Sequence, residues 1–477
     1  MERVLVVVQN LPLPLDRRVW LECLALRDAG YHVSAICPQG PGDPAYEELD
    51  GVHLYKYTPS PAAAGALGYV REFVECWLRT ARLSVRVRRE QGFDVLQACN
   101  PPDTYWVLAR LWRRAGVRFV FDQHDLNPEL FRSRFGEPRT AAARLQLALL
   151  HLLERMSYRT ADHVITVNES YRDVVLRRGR RSPEDVTVVR SGPDTRRMRP
   201  VQVVREPGDE RRVIAYLGIM GPQDGVDLLV DAMDVLVHEM GREDVHLVAM
   251  GFGDCLEALR EQSHRLGLDE NITFTGRVDA PAIAQHLSRA ELGVGPDPSN
   301  PLNDVSTMNK TMEYMAFALP VVTFDLTETR VSAGDAACYV PAGDVRALAR
   351  AVSDLLDDPP RRARMAEAGR RRAVEVLDWA PQSAAYVRVF DRLLRRAESP
   401  VPCPGGSGPA VVGGEDAPVL LDPRVEELAA APRGRSSLVP VGQREAPLEE
   451  STGTAEAPLV RAAGSRAPGE GPAWRRR

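Results

Sequence analysis

Three stretches of this 477-residue chain bring together side chains that could do chemistry. The richest is PDPSNPLNDVSTMNKTMEYMAFALPVVTFD, beginning at Pro296. Ser306 or Thr307 can cap a helix whose first turns carry Asn309, Lys310 and Glu313, and residues 310 and 313 share a face at i, i+3. A helix N-terminus offers unpaired N–H groups and about half a positive charge, so it attracts phosphate, and a lysine there adds to the attraction. A carboxylate one turn deeper suits a diol such as the 2′ and 3′ hydroxyls of ribose. An ordinary Lys–Glu surface pair is the plainer alternative. Against it stands the rarity of lysine: apart from Lys56 and Lys310, every basic residue is arginine.

The second stretch is FDQHDLNPELF, where His124 and Asp125 directly follow an apolar run. A histidine and a carboxylate at such a rim can hydrogen-bond a substrate hydroxyl or a developing charge; equally, His124 could satisfy its own loop. Asn100, in NPPD at 100–103, ends the neighbouring run on the same rim. The third is QNLPLPLDRRVW, where Asp16, Arg17 and Arg18 lead into a helix. A phosphate cradle at that turn would need glycine, and there is none, so acceptor contact is the expectation. In GIMGPQDGVDLL, by contrast, Gly218, Gly221 and Gly225 permit tight turns and close approach of backbone amides to an anion. A glycine-rich turn alone is a weak signal. Asp254, before the next helical stretch, reads as an N-cap.

These segments need a frame. Short β-branched runs (VLVVV, HVSAIC, FDVLQA, VRFVFD, DHVITV) alternate with helical stretches up to about residue 195. The pattern restarts with RVIAYLG, VHLVAMG, ITFTG, LGVG and PVVTFD. Continuous apolar strands between helices predict parallel sheets covered on both faces, hence two doubly wound, Rossmann-like α/β domains. Ligands then sit beyond the carboxyl ends of the strands, in a cleft between the two sheets. The expected divisions are 1–200, 201–380, a final helix over 381–397 and a disordered, Pro/Gly/Ala-rich tail over 398–477, with a linker around 197–211.

Composition removes several function classes. With 44% hydrophobic and 27% charged residues, the chain has the balance of a water-soluble globular protein. A net charge of -5 gives no reason to expect nucleic acid as a partner. The seven cysteines are odd in number and contain no C-x-x-C pair, which predicts neither a disulfide framework nor structural zinc. The start is too short in apolar residues for a signal peptide, and no run is long enough to span a bilayer. A cytoplasmic location is expected, and the N-x-S/T matches at Asn168 and Asn271 would be idle.

The order and spacing of FDQHD, VVRSGPD at 188–194, YLGIMGPQDGVDLL, MGFGDCLEAL, ITFTGRV and STMNKTMEYMAFALPVV resemble the retaining glycosyltransferases of the GT-B fold, specifically glycosyltransferase family 4. The resemblance covers nearly all of 1–397. It implies a nucleotide-sugar donor held mainly by the C-terminal domain, an acceptor held mainly by the N-terminal one, and a last helix, WAPQSAAYVRVFDRLLRR, crossing back to the first domain. It places Glu313 on the donor ribose, as the second of two glutamates eight positions apart; the first position holds Val305, with Asp304 beside it. It places Gly276 and Arg277 near the nucleobase, and makes His124 the active-site histidine. The family's diphosphate-clamping Arg and Lys fall near Ile219 and Asp224, so both basic residues are absent, leaving Lys310, the 306–310 amides and Gly221 as substitutes. Transfer would go to a glycan, lipid-linked or small-molecule acceptor. With no D-x-D triplet in the chain, neither a metal nor any other cofactor is expected.

Other classes share this architecture. A nucleotide-sugar epimerase would act on donor without acceptor. An α-glucan phosphorylase would need a cofactor lysine, for which Lys56 and Lys310 are the candidates. A non-catalytic scaffold is the reading if the missing basic residues mark a degraded site. Finally, 69–89 and 141–158 are amphipathic, with Tyr69, Phe73, Trp77 and Leu78 on one face of the first and arginines on the polar sides. Such helices could lie peripherally on an anionic membrane at its inner face, or pack on the sheet with a solvated basic face.

Overall fold

In a computed structural model of the chain, the structure describes residues 1–40, 42–59, 65–203 and 210–395, and the side chains of 65–73 lie outside that description. The sequence expectations for 398–477, and for Tyr69 and Phe73, therefore fall outside the described residues. Everything described belongs to one compact unit.

The first sheet has eight strands: β1 (Arg3–Val7), β2 (His32–Pro38), β3 (Tyr46–Leu49), β4 (Val52–Tyr57), β5 (Val95–Cys99), β6 (Arg118–Gln123), β7 (His163–Thr166) and β8 (Val186–Val188). Their spatial order is β3-β4-β2-β1-β5-β6-β7-β8. All pairs are parallel except β3 with β4, an edge hairpin. Its turn, Asp50-Gly51, has both residues at positive φ, as a two-residue hairpin loop that follows strand twist requires. The second sheet contains β9 (Arg212–Ile219), β10 (Val245–Phe252), β11 (Ile272–Gly276), β12 (Leu292–Gly295), β13 (Val321–Phe324) and β14 (Ala337–Val340). It is wholly parallel, in the order β11-β10-β9-β12-β13-β14.

Strands buried on both faces explain the continuous apolar runs. Val4, Val6 and Val8 face the helices Arg17–Asp28 and Trp379–Leu394, while Leu5 and Val7 face a layer made by Gly65–Glu90, Trp106–Arg113 and Ala141–Thr160. In the second sheet, helices Val226–Asp234 and Val345–Leu356 cover one face and Ala280–Arg289 and Asn309–Ala316 the other. Strand order reverses between β1 and β5 in the first sheet and between β9 and β12 in the second. Those are the crevices in which doubly wound sheets bind ligands.

Two chain segments run between the sheets, and they are fastened together. Trp379 donates its N–H to Pro193 O at 3.1 Å, and the amide and hydroxyl of Thr195 both donate to Asp378 Oδ2 at 3.0 and 2.6 Å. A Cβ on Gly192 would lie 1.9 Å from the Leu377 carbonyl oxygen, so only glycine fits where the segments cross. Beyond this point Trp379–Leu394 packs on the first sheet, with Tyr386 and Phe390 buried beside Val19, Cys23 and Tyr31. Tyr31 donates to Asp391 at 2.6 Å, satisfying a buried carboxylate.

Candidate active site

The wall formed by the first sheet centres on the end of β6. Asp122 and His124 are two residues apart and so emerge on the same side of the strand. His124 Nε2 lies 2.9 Å from Asp122 Oδ2. From the helix Arg17–Asp28, Arg18 and Glu22 enter the same space at i, i+4, with Arg18 Nε 3.0 Å from Glu22 Oε1. Arg18 also donates to Val189 O at 2.8 Å, Ser191 Oγ at 2.9 Å and Asp122 Oδ1 at 3.3 Å, so its guanidinium is fully committed. Gln97, on β5, donates to Glu22 at 2.9 Å and Asp122 at 3.0 Å, and accepts from Tyr386 of the crossing helix at 2.5 Å.

Two buried carboxylates this close cannot both ionise freely. Burial first, and then the charge of Asp122, push the Glu22 carboxyl well above its ordinary range. Asp122 goes the other way: burial opposes ionisation, but the charges of His124 and Arg18 hold it below the usual range. Asp122 is thus the anion, and His124 Nε2 faces it. Arg18 Nε donates to the same nitrogen at 3.2 Å, so Nε2 lies between a guanidinium and a carboxylate. With Nε2 so engaged, Nδ1 is the ring's other bonding atom. Glu22, Cys99, Asp122 and His124 place one ligand atom each within 4.8 Å, yet Arg18 already supplies the positive charge that a cation would bring.

The other residues expected on this wall have partners within the protein. Asn100 is buried and spent on the protein itself: its Oδ1 accepts from the amides of His124 and Asp125, and its Nδ2 donates to Asp103 and to Asp125 O. It braces the histidine loop. Asp16 caps its helix, accepting from the Val19 amide at 3.2 Å. Asp125 is half-buried beside His124, and burial raises its carboxyl against the charges of His124 and Arg134.

The second wall lies at the β9/β12 crevice. Lys310 is buried, not paired with Glu313: its ammonium meets Asp297, which follows β12, and sits 5.5 Å over the Tyr216 ring. Burial alone would lower its pKa, but Asp297 and Asp224 hold it above the ordinary value. Asp224 takes the Gly221 amide at 3.0 Å, so that N–H is not open to a phosphate in this arrangement. Burial raises the Asp224 carboxyl to about 6, with Lys310 pulling the other way. Gly218 leaves room for Lys310, whose Cε would be 3.1 Å from any added Cβ. Gly276 ends β11 at φ 69, a conformation that favours glycine, and the Arg277 guanidinium lies 5.5 Å over the Phe252 ring.

Neither Ser306 nor Thr307 caps the helix Asn309–Ala316; its N-cap is Met308, with no side-chain bond, and Asn309 opens the helix exposed. Thr307 accepts from Asn168 across the cleft at 3.0 Å, and Ser306 contacts Tyr171 at 3.1 Å. Ser170 donates to Glu328 at 2.5 Å. Glu313 meets Arg17 at 2.9 Å. The walls are therefore in contact along one edge, bringing Arg17 of the first domain to the helix that carries Lys310 and Glu313.

Sequence reasoning did not single out Glu22, Gln97, Asp122 or Tyr386, and it left Arg18 without a role. A signal existed for two pairs: Arg18 and Glu22 at i, i+4, and Asp122 and His124 at i, i+2. Gln97 and Tyr386, 289 positions apart, had none.

Known proteins of similar sequence and structure share this architecture. The family model described as "Glycosyltransferase Family 4" matches residues 16–197, and the one described as "Glycosyl transferases group 1" matches 211–358. An alpha-D-kanosaminyltransferase of Streptomyces kanamyceticus is 27% identical over 368 residues, 73% of this chain and 92% of that protein. A phosphatidyl-myo-inositol mannosyltransferase of Mycobacterium leprae is 34% identical over 183 residues, 38% of this chain and 46% of that protein. Sucrose-phosphate synthase from Thermosynechococcus elongatus superposes with a TM-score of 0.66 at 18% identity, over 83% of this chain and all of that one. Anabaena HepE in complex with UDP-glucose gives 0.59 at 16% identity, over 82% and 100%. At such identities the structures speak to fold, and the fold they share is GT-B. Matched on both halves by family models and over most of its length by such a relative, the chain belongs to the family-4 glycosyltransferases of the GT-B fold.

Proposed function

We propose that this protein transfers a sugar, with retention of anomeric configuration and without a metal, from a nucleotide-sugar donor to a glycan, lipid-linked or small-molecule acceptor. The observation that carries the reading is the opposition of the two crevices, with His124 at one and Lys310 and Glu313 at the other. The relatives named above are a kanosaminyltransferase and a mannosyltransferase, and HepE binds UDP-glucose, which supports a nucleotide-sugar as the donor.

Glu313 holds the ribose diol and Lys310 faces the diphosphate, with Gly276 and Arg277 towards the base. His124, oriented by Asp122, meets the sugar through Nδ1. The barrier falls mainly through stabilisation of the charge that grows on the departing diphosphate. Retention without a covalent intermediate is favoured because Asp122, the carboxylate on His124, is fully buried and engaged by Gln97, Arg18 and His124. Asp125 remains the nearer alternative for stabilising a cationic sugar. Closure of the walls excludes water and suppresses donor hydrolysis. Lys56 is tied to Asp43 at 2.7 Å and Glu47 at 2.6 Å in the β3–β4 region, which disfavours it as a phosphorylase's cofactor lysine.

We further propose a peripheral membrane surface, which suits a lipid-linked acceptor. The helical layer over one face of the first sheet exposes Leu145, Leu149 and Leu152 at 72%, 51% and 52%, spaced along one stripe, with Val74, Leu78 and Leu111 on neighbouring helices. Arg144, Arg155 and Arg159 are exposed on the helix of the three leucines, and Arg82, Arg86 and Arg89 on the helix of Val74 and Leu78. Trp77 instead packs partly against the core. No described helix is long and apolar enough to cross a membrane.

The test of the transfer reading is product stereochemistry. Incubated with UDP-, GDP- and dTDP-sugars, the protein should release nucleoside diphosphate, and proton NMR of the released or transferred sugar should show the donor's anomeric configuration first. Turnover should persist in chelator. Inverted product, an absolute requirement for manganese or magnesium, or interconversion of donor epimers without release would each overturn it.

A further inference from the structure

We propose that Arg17, from the domain opposite, supplies the positive charge that the donor diphosphate requires, exchanging Glu313 for the phosphates as the nucleotide enters. This rests on the donor assignment above and adds to it a residue that sequence reasoning gave to the acceptor side.

The argument begins with charge. The nucleotide wall offers one lysine, Lys310, already bound to Asp297 and adjacent to Asp224. Glu313 adds a third carboxylate. A diphosphate approaching this wall alone would meet a field of its own sign, and charged groups are not desolvated without compensation. Arg277 of the same wall is laid over the Phe252 ring, so further positive charge has to come from the opposite domain, where Arg134 acts on Asp224 and Arg17 pairs with Glu313.

Arg17 is placed to provide it. Its Nη1 lies 2.9 Å from Glu313 Oε1 and its Nη2 3.2 Å from the Met198 sulfur. Its side chain is 51% exposed, and an exposed ion pair of this kind is weak and easily exchanged. Arg18, the next residue, is locked by Val189, Ser191, Glu22 and Asp122 and cannot move. A guanidinium already resting on the ribose-binding carboxylate is within a side chain's swing of the phosphates, and its fork matches two phosphate oxygens. The exchange frees Glu313 for the diol in the same motion, so ribose and phosphate recognition become coupled to approach of the two domains.

In the transfer step the bond between the anomeric carbon and the phosphate oxygen breaks, and its electron pair stays on that oxygen, where Arg17 stabilises it. The acceptor hydroxyl oxygen forms the new bond to the anomeric carbon, and its proton passes to the departing phosphate.

Calorimetry on the full-length chain tests this with UDP and GDP, alongside uridine and guanosine, on wild type, Arg17→Ala, Arg17→Lys, Glu313→Ala and the Arg17→Ala/Glu313→Ala double variant. Arg17→Ala should weaken the diphosphate by about tenfold or more, with the nucleoside unchanged or slightly tighter. Arg17→Lys should fall between, since it keeps the charge and loses the fork. The loss should persist when Glu313 is already alanine. If Arg17→Ala tightens diphosphate and nucleoside alike, or its effect disappears in the Glu313→Ala background, Arg17 merely blocks Glu313 and the proposal fails. Failure of the underlying ribose assignment would look different: Glu313→Ala would leave nucleoside affinity untouched.

Discussion

Lys310 and Glu313 stand one helical turn apart and face different surroundings, a distinction with consequences for any substitution. Lys310 is buried among carboxylates, so removing its charge strands Asp297 and costs stability, about 3–5 kcal/mol for a broken buried pair, as well as phosphate binding in the proposed function. Glu313 is only partly buried, so in the proposed function its loss is felt in nucleotide binding. Asp224 is the more informative target. Its carboxyl, raised to about 6 by burial, sits beside the lysine that would face phosphate. Above that pH it is ionised and repels the diphosphate; below it, protonation removes the repulsion. Donor affinity therefore rises as pH falls through 6 in wild type. Asp224→Asn should tighten diphosphate binding at pH 7.5 and flatten the profile between about 5.5 and 7.5. Nucleotide titration is common to both proteins, so the difference in their profiles isolates Asp224. An unchanged profile in the variant would show that Asp224 does not face the phosphates.

The strands and their apolar runs were legible in the sequence because a strand buried on both faces has few other ways to be written. The hairpin Tyr46–Leu49/Val52–Tyr57 was not noticed, although Asp50-Gly51 between two alternating runs is its ordinary mark. The site was legible in part. His124, Lys310 and Glu313 were chosen for residue type at strand ends and a helix start, but their partners depend on packing between distant elements. Asp297 lies 13 positions before Lys310, and Tyr386 reaches Gln97 from the far end of the fold. Ser306 and Thr307 do not cap because the helix starts later, at Asn309, and their hydroxyls go to Leu302 O and Tyr171 and to Asn168. The crossing helix is linked to His124 through Tyr386, Gln97 and Asp122. Tyr386→Phe removes the buried donor to Gln97 and should lower stability by about 1–3 kcal/mol, read by denaturant unfolding. Turnover should fall while nucleotide affinity holds, because the disturbed chain ends on the first wall. Unchanged stability and turnover would show that the link carries nothing.

Across the whole molecule, the doubled segment at Gly192 and Leu377 joins the two sheets, and the edge contacts at Asn168, Ser170 and Arg17 describe how the walls meet. The exposed leucine stripe lies on the first domain's outer layer, away from the crossing helix. Sedimentation with vesicles should therefore show binding to phosphatidylglycerol-rich bilayers, weakened by salt and by Leu145→Asp/Leu149→Asp, with little binding to phosphatidylcholine alone. Equal, low binding to both would dismiss the surface. The central claim is the division of labour between the walls, and a calorimetric titration of His124→Ala and Glu313→Ala with the cognate nucleoside diphosphate tests it most directly. Glu313→Ala should weaken nucleotide binding by about 1–3 kcal/mol, the cost of a lost hydrogen bond to a charged group, while His124→Ala binds as wild type and loses transfer. Nucleotide affinity abolished by His124→Ala and untouched by Glu313→Ala would contradict the account.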